Sequence, residues 1–271
     1  VMAFISLIKF DNLLYINKYN NCLFKVVFVL FVGLLPIFSF AQERIKPVNI
    51  SLWNPVATSK YDSLSTTYFT FGLGQSKVHN LKGVGINGIA GKITGNLTGV
   101  NISGIGSHVH GNMKGLSTAG IINVVSGSTK GVEFASLLNM NIGAMRGIQF
   151  AGLSSMSIGP MRGIQLSGGY NVASSEMKGI QVSAIGNITA RGSNILQISG
   201  LFNMGLESMK GIQLAAGNFA DTIKGLQLGI LNVSSSTRKG VQIGLVNYSG
   251  DKSGLQLGLV NLSRSSELDI M

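Results

Sequence analysis

The sequence predicts an all-β fold, a β-solenoid of about twelve coils of 14–16 residues, and three observations carry that prediction. The first is repetition. A phrase of glycine, aliphatic, usually Gln, aliphatic begins at positions 83, 99, 115, 131, 147, 163, 179, 195 and 211, an unbroken spacing of sixteen, then at 225, 240 and 254. Ile195 alone replaces the leading glycine. The second is alternation within the unit, the mark of an extended strand. The third is composition, since 37 glycines against four prolines and one tryptophan suit a stacked array better than a conventional mixed core.

One unit justifies the elements in order. In Gly147-Ile-Gln-Phe150 the second and fourth places are apolar and the third is polar, as in the units holding Ile164 and Leu166, Ile180 and Val182, and Ile212 and Leu214. The expectation is aliphatics inward and Gln149, Gln165, Gln181 and Gln213 outward. A small fifth residue and Gly or Ala at the sixth place, as in Ala151-Gly152, Ser183-Ala184 and Ala215-Ala216, then break the alternation and predict a corner. Asn follows at the ninth place (Asn123, Asn139, Asn171, Asn187, Asn203) or the eighth in the short units (Asn218, Asn232, Asn247, Asn261). Stacked Asn side chains satisfy one another by hydrogen bonding. At a strand spacing of ~4.8 Å, the stack predicts a rod roughly 55–60 Å long. The runner-up is a transmembrane β-barrel with one strand per repeat, disfavoured because barrel strands alternate over about ten residues and their turns differ in pairs.

The repeats occupy 83–267, with 268–271 as a truncated end. Residues 42–82 lack the phrase and concentrate Trp53, Tyr61, Tyr68, Phe69 and Phe71, which reads as an N-terminal cap. Asn54-Pro55 marks a turn in it, and Ser65 to Phe71 a strand over the first coil's open edge. A carbohydrate-stacking aromatic platform is the functional alternative. Upstream, 1–41 holds an apolar run from Val26 to Phe40 after Lys25, with Ser39-Phe40-Ala41 before Gln42. It is too short to span a bilayer and predicts a secretory signal cleaved after Ala41. Cys22, the sole cysteine, lies before the run, so the repeats carry no disulfide or thiolate chemistry.

The formal charge of +11 favours anionic partners. Its pattern is sharper than its size, because the place before each unit's first residue is Lys82, Lys114, Lys130, Arg146, Arg162, Lys178, Lys210, Lys224 and Lys239. Stacking turns this into a basic column. Lys114, Lys130, Arg146, Arg162, Lys178, Lys210, Lys224 and Lys239 are the candidate polyanion-binding residues, the alternative role being protection of a sheet edge against lateral aggregation. Suitable polymers are lipopolysaccharide, capsule or extracellular DNA.

Other motifs carry less. Gly83-Val-Gly-Ile-Asn-Gly88 matches a dinucleotide fingerprint by letter, but it falls in phase with the repeat and follows no βαβ pattern. His108 and His110 share a strand face without a third ligand in register. Acidic residues such as Glu133, Glu176, Glu207 and Asp221 are scattered rather than paired, which argues against an enzyme, and no cofactor is expected.

Lys239-Gly-Val-Gln-Ile-Gly-Leu-Val-Asn247 and Gly254-Leu-Gln-Leu-Gly-Leu-Val-Asn261 resemble the repeats of a bacterial surface-repeat family known from Leptospira and common in Bacteroidota. The resemblance covers 83–262, and Trp53-Asn-Pro-Val56 with Tyr61-Asp62-Ser63 is similar to the segment preceding the repeats in Bacteroidota members. It implies an exported protein of the cell surface, outer membrane or periplasm, with outer-membrane components as further partners and no catalytic residues to carry over. The early units, Gly83 to Lys114, depart from the Gln pattern. The reading is an envelope protein with a structural, adhesive or polyanion-binding role; the alternative is an outer-membrane barrel or a polysaccharide-processing protein.

Overall fold

The computed structural model describes residues 43–251, 254–264 and 269–270. The expected signal, Cys22 and the cleavage site after Ala41 lie outside the described residues, as do Lys252 and most of the tail. All regular structure among the described residues is β.

Each coil contributes a long strand and a short one, such as Met145–Ala151 and Ser154–Ser157. Both pair in parallel with their copies one coil later, Met145 with Met161, Gly147 with Gly163 and Ser154 with Tyr170. Pairing at the repeat spacing along the chain makes a parallel β-solenoid with one coil per repeat; the antiparallel barrel is not the fold of these residues. Between Tyr170 and Leu228 the short and long strands run together into strands of 12 to 14 residues.

The expected facing of the strand is reversed. Gln149, Gln165, Gln181, Gln197, Gln213, Gln227 and Gln242 are all 0% exposed, whereas Ile148 and Phe150 are 38% and 41% exposed and Ile212 and Leu214 are 43% and 39%. The period of two is right and its phase is wrong. The interior is narrow: small residues such as Ala135, Ala151 and Ala173 line it, and Gln side chains fill it.

Buried amides survive there because each finds a partner in the next coil. From Gln256 back to Gln165, every Nε2 donates to the Oε1 one coil earlier at 2.7–2.9 Å, and Gln149 donates to Oε2 of Glu133 at 2.9 Å. The expected Asn ladder forms from Asn171 onward and runs the opposite way, while Asn123 and Asn139, also expected in it, bond within the coil or to backbone instead. Asn171, Asn187, Asn203, Asn218, Asn232 and Asn247 each donate Nδ2 to the Oδ1 of the following coil at 2.8–3.1 Å. The same Nδ2 also reaches a backbone carbonyl at the next coil's corner, as Asn187 does to Ile198 at 2.8 Å, which fixes the direction.

Apolar packing occupies the rest of the interior as two clusters. One holds Met145, Met161, Met177, Ile195, Met209 and Ile223, the other Leu81, Ile93, Leu97, Val109, Met113 and Val125. Between them in sequence come Thr129, Glu133 and Asn141, all buried and polar. The Met column explains the one exceptional unit. Thr129 stands in the Met place with Gly131 kept and a polar interior beside it, whereas at Ser193, between Met177 and Met209, Ile195 replaces glycine and is itself buried at 4% exposure in the Met cluster.

Leading glycines are required by close approach of the coils. Gly147 has φ 144°, and a Cβ there would stand 1.8 Å from the Gly131 carbonyl oxygen. At the predicted corner, a Cβ on Gly152 would lie 2.0 Å from the carbonyl oxygen of Ser136.

The N-terminal segment continues the stack without the repeat phrase. Ser65–Gly72 pairs in parallel with Asn80–Asn87, so it is a coil strand as well as a cover. Val48–Trp53 pairs in parallel with it in turn and folds back through Asn54-Pro55 on Val56–Ala57. Tyr61 is spent on structure, its hydroxyl 2.8 Å from Thr94 Oγ1 and its ring beneath the Lys77 ammonium at 4.1 Å.

Candidate anion-binding surface

The basic column is built by the long strand. In Met145-Arg-Gly-Ile-Gln-Phe-Ala151, Met145, Gln149 and Ala151 are buried, whereas Arg146, Ile148 and Phe150 are exposed. Arg146 therefore faces outward because Met145 beside it and Gln149 three places on are needed inside.

Register brings Lys114, Lys130, Arg146, Arg162 and Lys178 into direct succession over five coils. Asn194 interrupts the column, which resumes with Lys210 and Lys224. Lys239 does not join it: the residue sits in a turn at φ 56°, outside the strand pairing. Lys82 aligns with Thr98 before Lys114, and its ammonium reaches Glu43 at 3.3 Å. Lys178 is half-buried and paired with Glu176 at 2.8 Å, and that contact holds the glutamate's carboxyl below its usual range. The freest cluster is thus Lys114, Lys130, Arg146 and Arg162, all exposed. Adjacent parallel strands lie about 4.8 Å apart, so these cations repel one another across a spacing shorter than the ~8 Å screening length at physiological salt. An anionic chain laid along the column relieves that repulsion.

A shallow groove of about 670 Å³ borders the column's N-terminal half, lined among others by Asn80, Asn96, Asn112, Lys114, Lys130 and Arg146. Its floor is ordered by side chain to backbone bonds, since Asn80 and Asn96 each accept from the backbone N–H sixteen residues on at 2.8 Å, and Asn112 does so at 2.9 Å.

The other candidates resolve into structure. Gly83, Gly85 and Gly88 lie in the stack, and a Cβ on Gly83 would meet the Tyr68 carbonyl oxygen at 2.3 Å, so these are packing glycines. His108 and His110 stack with ring centroids 3.8 Å apart, and burial, then the neighbouring His110 and Lys92, depress the His108 pKa. Among the described residues no three His, Cys, Asp or Glu side chains gather as a metal site.

Sequence reasoning missed two features. One is Glu133, which sits in the Gln column yet is fully buried, accepting from Gln149, from Thr129 Oγ1 at 2.7 Å and from Asn141 Nδ2 at 3.1 Å. Burial raises its pKa and those three hydrogen bonds oppose the rise. The signal was available, as Glu133 stands in line with Gln149. The other is the apolar exterior.

Fold and surface together define a parallel β-solenoid repeat protein with a one-sided basic column. Searches with known family models, curated proteins and solved structures give no match to this chain.

Proposed function

We propose that this protein is a non-catalytic, exported repeat module of the bacterial envelope that binds anionic polymers along its basic column. The observation that carries the reading is the uninterrupted register of Lys114, Lys130, Arg146, Arg162 and Lys178, cations repeating at one strand spacing. A linear polyanion such as lipopolysaccharide core, capsule or extracellular DNA offers charges in a row to a column that offers cations in a row. The resemblance of the repeats to a bacterial surface-repeat family and the apolar leader from Val26 to Phe40 support an envelope location.

The test compares two triple variants of equal charge. Lys130→Gln/Arg146→Gln/Arg162→Gln weakens binding to heparin and lipopolysaccharide by tenfold or more and flattens the salt dependence of binding, because fewer counterions are released. Lys60→Gln/Lys92→Gln/Arg264→Gln, off the column, changes binding by less than about threefold on the same grounds. Equal losses in the two variants would mean diffuse attraction and leave the column with an edge-protecting role only.

A further inference from the structure

The outward aliphatics form columns of their own beside the basic one. In the strand Met145–Ala151, Arg146, Ile148 and Phe150 are two residues apart and all exposed, so cation and aliphatics share the outer face. The coil before repeats it with Lys130, Val132 and Phe134 exposed, and in the coils from Arg162 to Ile198 the same aliphatic places are half-buried. Phe134 stacks on Phe150 with ring centroids 5.1 Å apart, and Val132 pairs with Ile148 in register. At the adjoining corner a third column is more exposed still, with Leu153 at 52% and Leu201 at 60%. The three columns lie on an outer face of roughly 900 Å², about 55 Å of stack by five residues of strand, so their exposed members are spread along the stack rather than scattered singly.

The cap carries the same columns although it lacks the repeat phrase. Val48 pairs with Phe69 and Phe69 with Val84; Ile50 pairs with Phe71 and Phe71 with Ile86. All six side chains are exposed. Trp53, the chain's one tryptophan, ends this ridge half-exposed, its ring against the backbone of Gly74.

We infer that this ridge seats in an anionic lipid surface, the aliphatic columns entering the acyl boundary while the bordering Lys and Arg column engages the headgroups. The inference rests on the reading of the column as an anion-binding site and names the form in which the anions are presented. Charge complementarity favours lipid over a second copy of the chain. A layer of anionic headgroups above an apolar interior matches a basic row beside aliphatic rows, whereas a facing copy offers its own cations in place of anions. Long basic side chains at the border suit this place, since their stems lie along apolar surface and their heads reach the phosphates.

Trp53 provides a reporter that belongs to the ridge and not to the apolar leader. The experiment adds the full chain to vesicles of phosphatidylcholine, alone or with phosphatidylglycerol, in which the acyl chains are brominated to quench tryptophan at acyl depth. The comparison variant is Ile86→Ser/Ile89→Ser/Ile102→Ser/Ile105→Ser, whose four side chains are exposed and leave the interior ladders intact. The expected result is quenching of Trp53 with anionic vesicles, at least fivefold less with neutral ones, and partition of the serine variant weakened tenfold or more at an unchanged circular dichroism spectrum. Binding to anionic vesicles without quenching would overturn the inference while leaving the polyanion reading intact. Quenching retained in the serine variant would also overturn it, since the leader alone then holds the chain at the bilayer. A concentration-dependent dimer in sedimentation, abolished by the same substitutions, would assign the ridge to a second copy. Loss of heparin binding in the column variant with persistent acyl quenching would overturn the headgroup role of the column.

Discussion

Gln149 donates Nε2 to Oε2 of Glu133 at 2.9 Å, and this bond terminates the glutamine ladder on a carboxylate. Every Gln in the ladder passes its donor toward the N-terminal coils, so the last donor needs an acceptor with no further donor of its own in line. A carboxyl oxygen meets that need, and burial of the group's charged form is the cost.

That cost depends on pH. The folded state holds the Glu133 proton to a higher pH than the unfolded chain does, because burial raises the pKa. Stability from this group is therefore fully present below the unfolded glutamate value of about 4.3 and is lost as pH rises through the folded value. Glu133→Gln removes that dependence, so the variant's melting midpoint gains on the wild type as pH goes from 4 to 8. A difference between the two proteins that stays constant over this range would contradict the assignment.

Ser155 interrupts the Asn ladder between Asn139 and Asn171, and the Oδ1 of Asn171 is buried without a hydrogen-bond partner. Ser155 Oγ already donates, at 3.3 Å, to the Leu166 carbonyl, which is the carbonyl an Asn in that place would reach. Ser155→Asn supplies the missing donor and raises stability by about 0.5–1.5 kcal/mol in urea unfolding. A destabilised variant would show that the coil has no room for the amide.

Glutamine in mid-ladder is held from both sides, Gln165 donating to Gln149 at 2.9 Å and accepting from Gln181 at 2.7 Å. Gln165→Leu leaves a buried donor and a buried acceptor unpaired. The expected loss is about 2–5 kcal/mol. A neutral effect would mean that the amides contribute shape alone.

Gly147 and Ile195 occupy equivalent places, and opposite changes, adding a side chain at one and removing it at the other, both destabilise. Gly147→Ala puts a methyl 1.8 Å from a carbonyl oxygen at φ 144° and costs at least about 3 kcal/mol. Ile195→Gly restores the repeat phrase, yet it removes a buried side chain from the Met cluster and costs about 2–5 kcal/mol. Denaturant midpoints read both; an Ile195→Gly protein as stable as wild type would refute the compensation between Ile195 and the absent Met.

Period, coil number, corner and Asn ladder were legible because repetition exposes them directly. The phase of the strand was assigned by hydrophobicity and came out reversed. Two signals pointed the other way. Arg146 has the same parity as Ile148 and Phe150 in one strand, so an exposed basic column already implied exposed aliphatics. The Gln place also repeats one residue type in eight units, from Gln149 to Gln256, while its flanking places vary among Val, Ile, Leu and Phe. A ladder requires identity from coil to coil, whereas an outer apolar face requires only character. The columns' role in the cap was hidden for another reason: Ser65–Gly72 pairs through backbone and alternation and needs no repeat phrase.

The inverted interior is tested most directly by thiol accessibility. In a Cys22→Ser background, single cysteines replace Ile148 and Gln149, adjacent residues of one strand. The account predicts that the thiol at 148 reacts with a water-soluble maleimide at close to the rate of the unfolded chain, while the thiol at 149 is protected by at least a hundredfold until denaturant unfolds the protein. Protection at 148 with fast labelling at 149 would return the aliphatics to the inside and contradict the account.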